Sequence, residues 1–268
     1  MALMALQSAS TGLRALSTEL DVIANNLANV NNNGFQASRA NFEDIYYQQV
    51  QQPGVQDANS DTRPIGLQIG LGTRISGTQL DFTAGSQVTT GKQTDVYISG
   101  NGFFRAKVLP GQGDGFGYTR AGSFFINAAG QLTVDSQNGY LLDPQITVPT
   151  DATAINIGAD GRVYATLPTS TNPSQIGQIQ LTRFVNPEGL IQIGGNMYQQ
   201  SGSSGDPITA NPGTDGMGSL VQGSVEASNV DPTTELVEMI KTQRSYELNS
   251  QAIQTANQML QTLNQLRQ

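Results

Sequence analysis

Any chemistry this chain performs has to be done without His or Cys, since neither occurs among its 268 residues. That removes the commonest general acid–base group, the thiolate nucleophile and the usual ligands of zinc and iron–sulfur centres. The groups left are 21 Asp and Glu, 13 Lys and Arg, and 8 Tyr. Paired carboxylates can exchange protons with a substrate, and clustered ones can hold a hard cation. Their settings argue against both uses. Asp57, Asp61, Asp143, Asp151, Asp160, Asp206 and Asp215 fall in turn contexts, where a short carboxylate bonds to nearby backbone. No EF-hand loop is present. The glycine-rich run Gly111-Gln112-Gly113-Asp114-Gly115-Phe116-Gly117 lacks the G-x-G-x-x-G spacing, and no helix pattern follows it, so it reads as a turn and not a phosphate cradle. No catalytic residue, metal or cofactor is expected, and the chain is read as a non-enzyme.

Composition narrows the partners. Charged residues make up 13% of the chain, while Gln and Asn number 29 and 20. The formal net charge is −8, and the basic residues are scattered from Arg14 to Arg267 without a run. Nucleic-acid binding draws on clustered Lys and Arg, so no nucleic-acid partner is expected, and an anionic membrane surface is disfavoured for the same reason. No stretch approaches the ~18 apolar residues of a membrane span, so no direct membrane insertion is expected. The first residues carry spaced apolar side chains and no Lys or Arg before Arg14, unlike a cleavable secretory signal.

The elements that must position these residues are clearest at the two ends. Leu6, Ala9, Leu13, Leu16, Leu20, Ile23, Leu27 and Val30 are spaced by alternating steps of three and four, a heptad stripe. The helix is expected to stop at Asn31-Asn32-Asn33-Gly34, with Gly34 supplying the positive φ past its end. At the other end Asp231-Pro232 reads as an N-cap and a first-turn proline. Met239, Tyr246, Ile253 and Leu260 then recur every seven residues, with Ile240, Asn249, Ala256 and Leu263 in the neighbouring seam. Two such helices can pair and close the middle of the chain into one large loop.

An ordinary helix hairpin would show the same stripes; the flanks discriminate. They carry Gln7, Ser8, Ser10, Thr11, Asn25, Asn26 and Asn29 on the first helix. On the second they carry Thr242, Gln243, Asn249, Ser250, Gln251, Gln254, Thr255, Gln258 and Gln261. A solvated coiled coil usually has Glu and Lys there. Burying an unpaired charge costs several kcal/mol, whereas an amide or hydroxyl costs about 1–3 kcal/mol and one hydrogen bond offsets it. Such flanks suit burial against further copies of the chain. The expected packing residues are Leu6, Leu13, Leu16, Leu20, Ile23, Leu27, Val30, Met239, Tyr246, Ile253, Leu260 and Leu263. Asn25, Asn26, Asn29, Gln243, Arg244 and Asn249 are the expected polar subunit contacts.

Between the ends the pattern is β. Runs such as 96–98, 102–108, 123–126, 162–165 and 177–181 are rich in branched and aromatic residues and alternate with turns at 127–130, 138–139, 160–161 and 186–189. Phe103, Phe104, Phe124, Phe125, Tyr140 and Tyr164 read as sheet core. The expected fold is α+β: terminal helices paired as a coiled coil around a β-rich centre, a small barrel or sandwich plus an extended hairpin. The boundaries are an N-terminal helix over 1–33, an extended segment over 34–90, a β domain over 91–228 and a C-terminal helix over 229–268. Ser201 to Gly218 reads as a Gly/Ser/Pro/Asp loop.

Four blocks resemble a known family. Gly12-Leu13-Arg14-Ala15, Leu20 through Val30, and Gly34-Phe35 are similar to the N-terminal signature of the bacterial flagellar rod and hook proteins. Gly223 through Asp231 followed by Gln243 through Asn249 resembles their C-terminal signature. Asp95 through Phe104 and Tyr118 through Phe124 resemble their shared β core. Within the family the distal rod members match best, through Tyr46-Tyr47-Gln48, Gln52-Pro53-Gly54 and Gly66 through Arg74, and through Asp81–Gly85 and Phe184–Leu190. Asn33, Gln36 and Asn257 depart from the family pattern, with no change of role expected. The resemblance implies a distal rod subunit that polymerises helically into a periplasmic tube, transmits torque and encloses the export channel. It implies export without signal cleavage, and as partners further copies of the chain, proximal rod and hook proteins, the surrounding P- and L-ring proteins and the flagellar export apparatus. A hook or proximal rod subunit, or an oligomeric adhesin, are the alternatives.

Overall fold

The computed structural model describes residues 2–54, 65–108, 115–134, 138–168 and 172–266. Asp57, Asp61, the first part of the glycine-rich run and the side chain of Leu263 lie outside the described residues. The chain is α+β, with helix α1 (Ala2–Ala28) at one end, helix α2 (Pro232–Leu266) at the other, and short strands between them. No helix among the described residues is long and apolar enough to cross a membrane.

Two compact units form. One gathers Met1–Ala28, Ser38–Gln79 and Asp231–Gln268; the other gathers Asn29–Ala37 and Leu80–Val230. The segment 34–90, read above as one extended stretch, is thus shared between them. Its larger part stays with the helices because strand Ser38–Asp44 packs on α1 and pairs with strand Thr73–Leu80.

In the helical unit α1 and α2 run antiparallel, Gly12 lying beside Asn249 and Asn26 beside Glu235. Asp231 caps α2 as its sequence suggested: the carboxylate accepts the Thr233 N–H at 3.0 Å and the Thr234 hydroxyl at 2.7 Å. Helix α1 ends at Ala28, earlier than expected. Gly34 does have φ +72°, but its service is elsewhere: a Cβ there would meet the Ala121 backbone at 2.6 Å. Strand Tyr47–Gln51 pairs antiparallel with Leu67–Gly70, Tyr47 opposite Gly70, with an irregularity that sets Gln51 opposite Leu67. The following turn rests on α1, where a Cβ on Gly72 would lie 2.0 Å from the Thr11 hydroxyl.

The second unit is built on an antiparallel nine-stranded sheet. Its path runs Ile191–Gly194, Met197–Gln199, Phe116–Thr119, Phe103–Lys107, Leu141–Asp143, Leu132–Thr133, Phe125–Ile126. Leu181–Arg183 also pairs with Phe103–Lys107 and carries Ile208–Ala210. Ala154–Ile157, Arg162–Thr166 and Ser174–Gln178 make a three-stranded sheet. Two ribbons, Val96–Ser99 with Ser219–Gln222 and Gln87–Thr89 with Ser224–Glu226, bring the last β residues back to the first.

Alternation explains the core. Adjacent side chains on a strand point to opposite faces. Phe104 enters one apolar cluster with Val96, Ile98, Phe124 and Leu181, while Phe103 enters a second with Leu80, Tyr118, Phe184 and Tyr198. The central strand is therefore covered on both sides. Three local expectations change. The run 177–181 divides between two strands, and the loop 201–218 contributes the edge strand Ile208–Ala210. Phe125 lies in neither cluster and is well exposed, with the Lys92 ammonium 4.2 Å from its ring centre, because the two-residue strand Phe125–Ile126 ends the sheet path.

Packing is tightest where a turn meets the sheet: a Cβ on Gly122 would lie 1.7 Å from the Val96 carbonyl oxygen. Gly122→Ala is expected to destabilise the β unit by about 3 kcal/mol in urea unfolding, whereas Gly202→Ala, which has open space, should change it by less than about 1 kcal/mol.

Candidate functional site

Among the described residues no group of three or more acidic side chains could hold a metal ion. The candidate functional features are the exposed faces of the terminal helices and a buried polar junction in the β unit.

On α1, Ile23 is buried, while Leu6, Leu13, Leu16, Leu20 and Leu27 are half-buried, as is Val30 beyond the helix end. The residues shown beside α2 are Gly12 and Asn26. They belong to the stripe Gly12, Ala15, Glu19, Val22, Asn26, which lies one residue, about 100°, round the helix from the leucines. Gly12 and Ala15 are the small members of this stripe, and the leucine stripe beside it is half-buried, with Ile23 buried.

On α2, Met239, Ile253 and Leu260 are half-buried and Tyr246 is exposed at its edge. Thr242, expected outside, is buried at 4% exposure, and Ile240, expected in the seam, is 58% exposed. The heptad explains the exchange. From Glu235 and Met239 the next step of three reaches position 242, then 246 and 249, and 240 falls off the contact face. Asn249, named above both in the seam and on the flank, sits on that face with its amide beside Gly12, where a Cβ would lie 3.3 Å from Nδ2. Leu236, Val237, Leu248 and Met259 join Ile240 as exposed apolar side chains on α2.

The amides divide as well. Asn25 and Gln243 are exposed, and Asn29 is half-buried past the end of α1. Arg244 is exposed and ion-pairs with Glu247 at 3.0 Å. Asn26, expected as an outward contact, is 2% exposed. Its Oδ1 accepts the Ser38 N–H at 3.0 Å, and its Nδ2 donates to the Ser38 carbonyl at 2.8 Å and to Glu235 Oε1 at 3.1 Å. The side chain completes a backbone-like pair inside the chain, which is why it faces inward. Glu235 has its pKa raised from the ordinary 4.5, chiefly by desolvation, with Glu238 and Asp231 adding repulsion and the Asn26 amide opposing.

The junction is the feature that sequence reasoning missed. Glu226 is 0% exposed and Arg120 3%. Arg120 Nε donates to Glu226 Oε2 at 2.8 Å and Oε1 at 3.1 Å, and its other nitrogens donate to the carbonyls of Gly102 and Gly100 at 3.2 and 3.1 Å. Glu226 Oε1 also accepts from Gln36 Nε2 at 3.1 Å and from the Gly85 N–H at 3.0 Å. The Glu226 backbone carbonyl accepts the Gly34 N–H at 2.8 Å. Gln36 passes the network on: its Oε1 accepts from Asn229 Nδ2, whose own oxygen receives the Ala37 N–H at 2.7 Å. Burial, then the nearby Glu226 carboxylate, pushes the Tyr198 hydroxyl far above its usual pKa, with Arg120 opposing. Removing one partner of such a buried pair typically costs about 3–5 kcal/mol, against a total domain stability of about 5–15 kcal/mol. Arg120 and Glu226 each lie inside a run quoted above for family resemblance, but nothing in either run signals that they meet.

Three family models match the chain in order. "Flagella basal body rod protein" covers residues 6–36, "Flagellar hook protein FlgE/F/G D1 domain" covers 97–165, and "Flagellar basal body rod FlgEFG protein C-terminal" covers 221–266. The chain is 46% identical over 256 residues to the flagellar basal-body rod protein FlgG of Buchnera aphidicola (Schizaphis graminum), covering 96% of each. The chain belongs to the FlgG family of flagellar basal-body rod proteins. The FlgG of Borreliella burgdorferi is 43% identical over 98% of each chain, and that of Bacillus subtilis 38% over 97% of this chain and 98% of its own. Each matched segment supplies one member of the buried junction: Gln36, Arg120 and Glu226.

Glu235 binds its proton more tightly in the folded than in the unfolded chain. Its contribution is therefore complete below the unfolded value near 4.5 and lost as pH rises through the higher folded value. Glu235→Gln is expected to raise the unfolding midpoint of the helical unit near pH 7 and to match the parent below about pH 4. Circular dichroism melts at both pH values check this; an equal midpoint at neutral pH would count against it.

Proposed function

We propose that the chain is the distal rod subunit of the bacterial flagellar basal body, assembling helically with copies of itself into a periplasmic tube. That tube carries torque from motor to hook and encloses the export channel. The observation that carries the reading is the uncovered apolar surface of the terminal helices in a chain similar to FlgG proteins along nearly its whole length. Leu236, Val237, Ile240, Leu248 and Met259 lie in water in the single chain, and an assembly that buries them gains about 25 cal/mol for each Å² removed.

In this reading the half-covered leucine stripe of α1 and the apolar flank of α2 meet neighbouring copies, extending the antiparallel pair into a coiled-coil inner tube. Buried helices between neighbours give the stiffness that torque requires. The polar flanks, with few fixed charges, suit a channel lining past which unfolded cargo moves. The segment from Tyr46 to Arg74 braces adjacent subunits: strand Tyr47–Gln51 is exposed along its whole length, and a two-stranded ribbon of this size is marginal without further packing. Proximal rod and hook proteins are the end partners, and the P- and L-ring proteins surround the tube. The chain reaches its place through the flagellar export apparatus with its N-terminus uncleaved.

Ile240→Asp and Leu248→Asp replace exposed residues, so each should leave monomer stability within about 0.5 kcal/mol of the parent while abolishing tube formation. Electron microscopy of concentrated protein decides. Straight tubes from the parent and none from the variants support the assignment; single particles from the parent, or tubes from both variants, overturn it.

A further inference from the structure

We propose that the Arg120–Glu226 pair is a closure latch that makes folding of the β unit conditional on the arrival of residues 224–229. The first 120 residues supply three of the groups around Arg120, the carbonyls of Gly100 and Gly102 and the ring of Phe103, whose centre lies 6.0 Å from the guanidinium carbon. The carboxylate that neutralises it comes roughly a hundred residues later. Before it arrives, a unit closed around Arg120 would hold a guanidinium with no anion. The N–H groups of Gly34 and Gly85 and the Gln36 amide would also lack the acceptors that Glu226 provides.

The same short segment supplies backbone pairing. Ser224–Glu226 pairs with Gln87–Thr89, and the Ala227 N–H donates to the Ser86 carbonyl at 2.9 Å. Asn229 joins Ala37, Gln36 and the Asp81 carbonyl. Six residues near the unit's C-terminal boundary thus carry the counter-charge and one of the two closing ribbons, the other being Val96–Ser99 with Ser219–Gln222. A chain emerging N-terminus first from the ribosome reaches closure only when those residues are present. A long-range contact of this kind is also slow to form, because loop closure precedes the reward.

If the pair holds the unit closed, its loss loosens strands far from it as well as the segments it touches. Hydrogen exchange on the full-length monomer in dilute solution reads this directly, and the measurement does not depend on the rod assignment. Glu226→Gln keeps the size and the acceptor oxygen but removes the charge. The expected result is at least a tenfold loss of amide protection in Phe103–Lys107, Phe116–Thr119 and Met197–Gln199, together with 34–37 and 85–89. The pair Arg120→Met with Glu226→Leu removes both charges and is expected to regain protection in the sheet strands relative to Glu226→Gln. Loss confined to 34–37, 85–89 and 224–229, or parental protection in Glu226→Gln, overturns the latch. So does a double variant no better protected than the single one, since the unanswered guanidinium would then not be the cause.

Discussion

A carboxylate cut off from water has to be answered by charge and by hydrogen bonds, and the β unit is organised around answering Glu226. Its two oxygens take the Arg120 guanidinium, the Gln36 amide and a backbone N–H, while its own carbonyl takes another. Those donors come from the segment just after α1, the segment just before the sheet and the middle of the sheet. One buried group therefore sets the mutual register of stretches that are far apart in the chain. The apolar clusters provide most of the driving force, but apolar contact tolerates sliding. Directional bonds to a single carboxylate do not.

The terminal helices follow a different rule. Gly12 lies against Asn249 and Asn26 against Glu235, and most of the helices' larger apolar side chains are only partly buried within the chain. Charge is kept off most of both helices, and the exposed ion pairs of α2 are short-range, Lys241 with Glu238 and Arg244 with Glu247. A surface of leucines and amides is costly to leave in water and cheap to bury against protein. In a family of rod proteins that asymmetry suits a subunit completed by its neighbours. The Glu235 carboxylate is partly desolvated at the helix pair and keeps an amide partner in Asn26.

Much of this is legible in the sequence because it depends on local order. Heptad spacing marked both helices, Asp231-Pro232 marked the start of α2, and the absence of His and Cys removed most reaction classes. The differences have separate physical causes. Counting in heptads from Met239 places Thr242 on the contact face and Ile240 off it, since helix geometry counts position and not polarity. Asn26 is expected at a subunit contact because an amide suits burial against another copy, yet its partner is the backbone of Ser38, a residue whose proximity only the folded chain creates. Phe125 reads as core from its strand pattern, but a strand at the end of a sheet path lacks the cover that burial needs.

The sequence alone determined which segments are helical, which are β, how little charge the ends carry and which family motifs the chain holds. These are matters of period, capping and composition, written in consecutive residues. Only the tertiary structure decided that Arg120, Gln36 and Glu226 form one buried network, that Gly12 and Asn26 face α2, and that 38–79 gathers with the helices. Each of those depends on residues brought together across tens to hundreds of positions. No local pattern encodes which of many possible long-range partners satisfies a buried charge or fills the space beside a glycine.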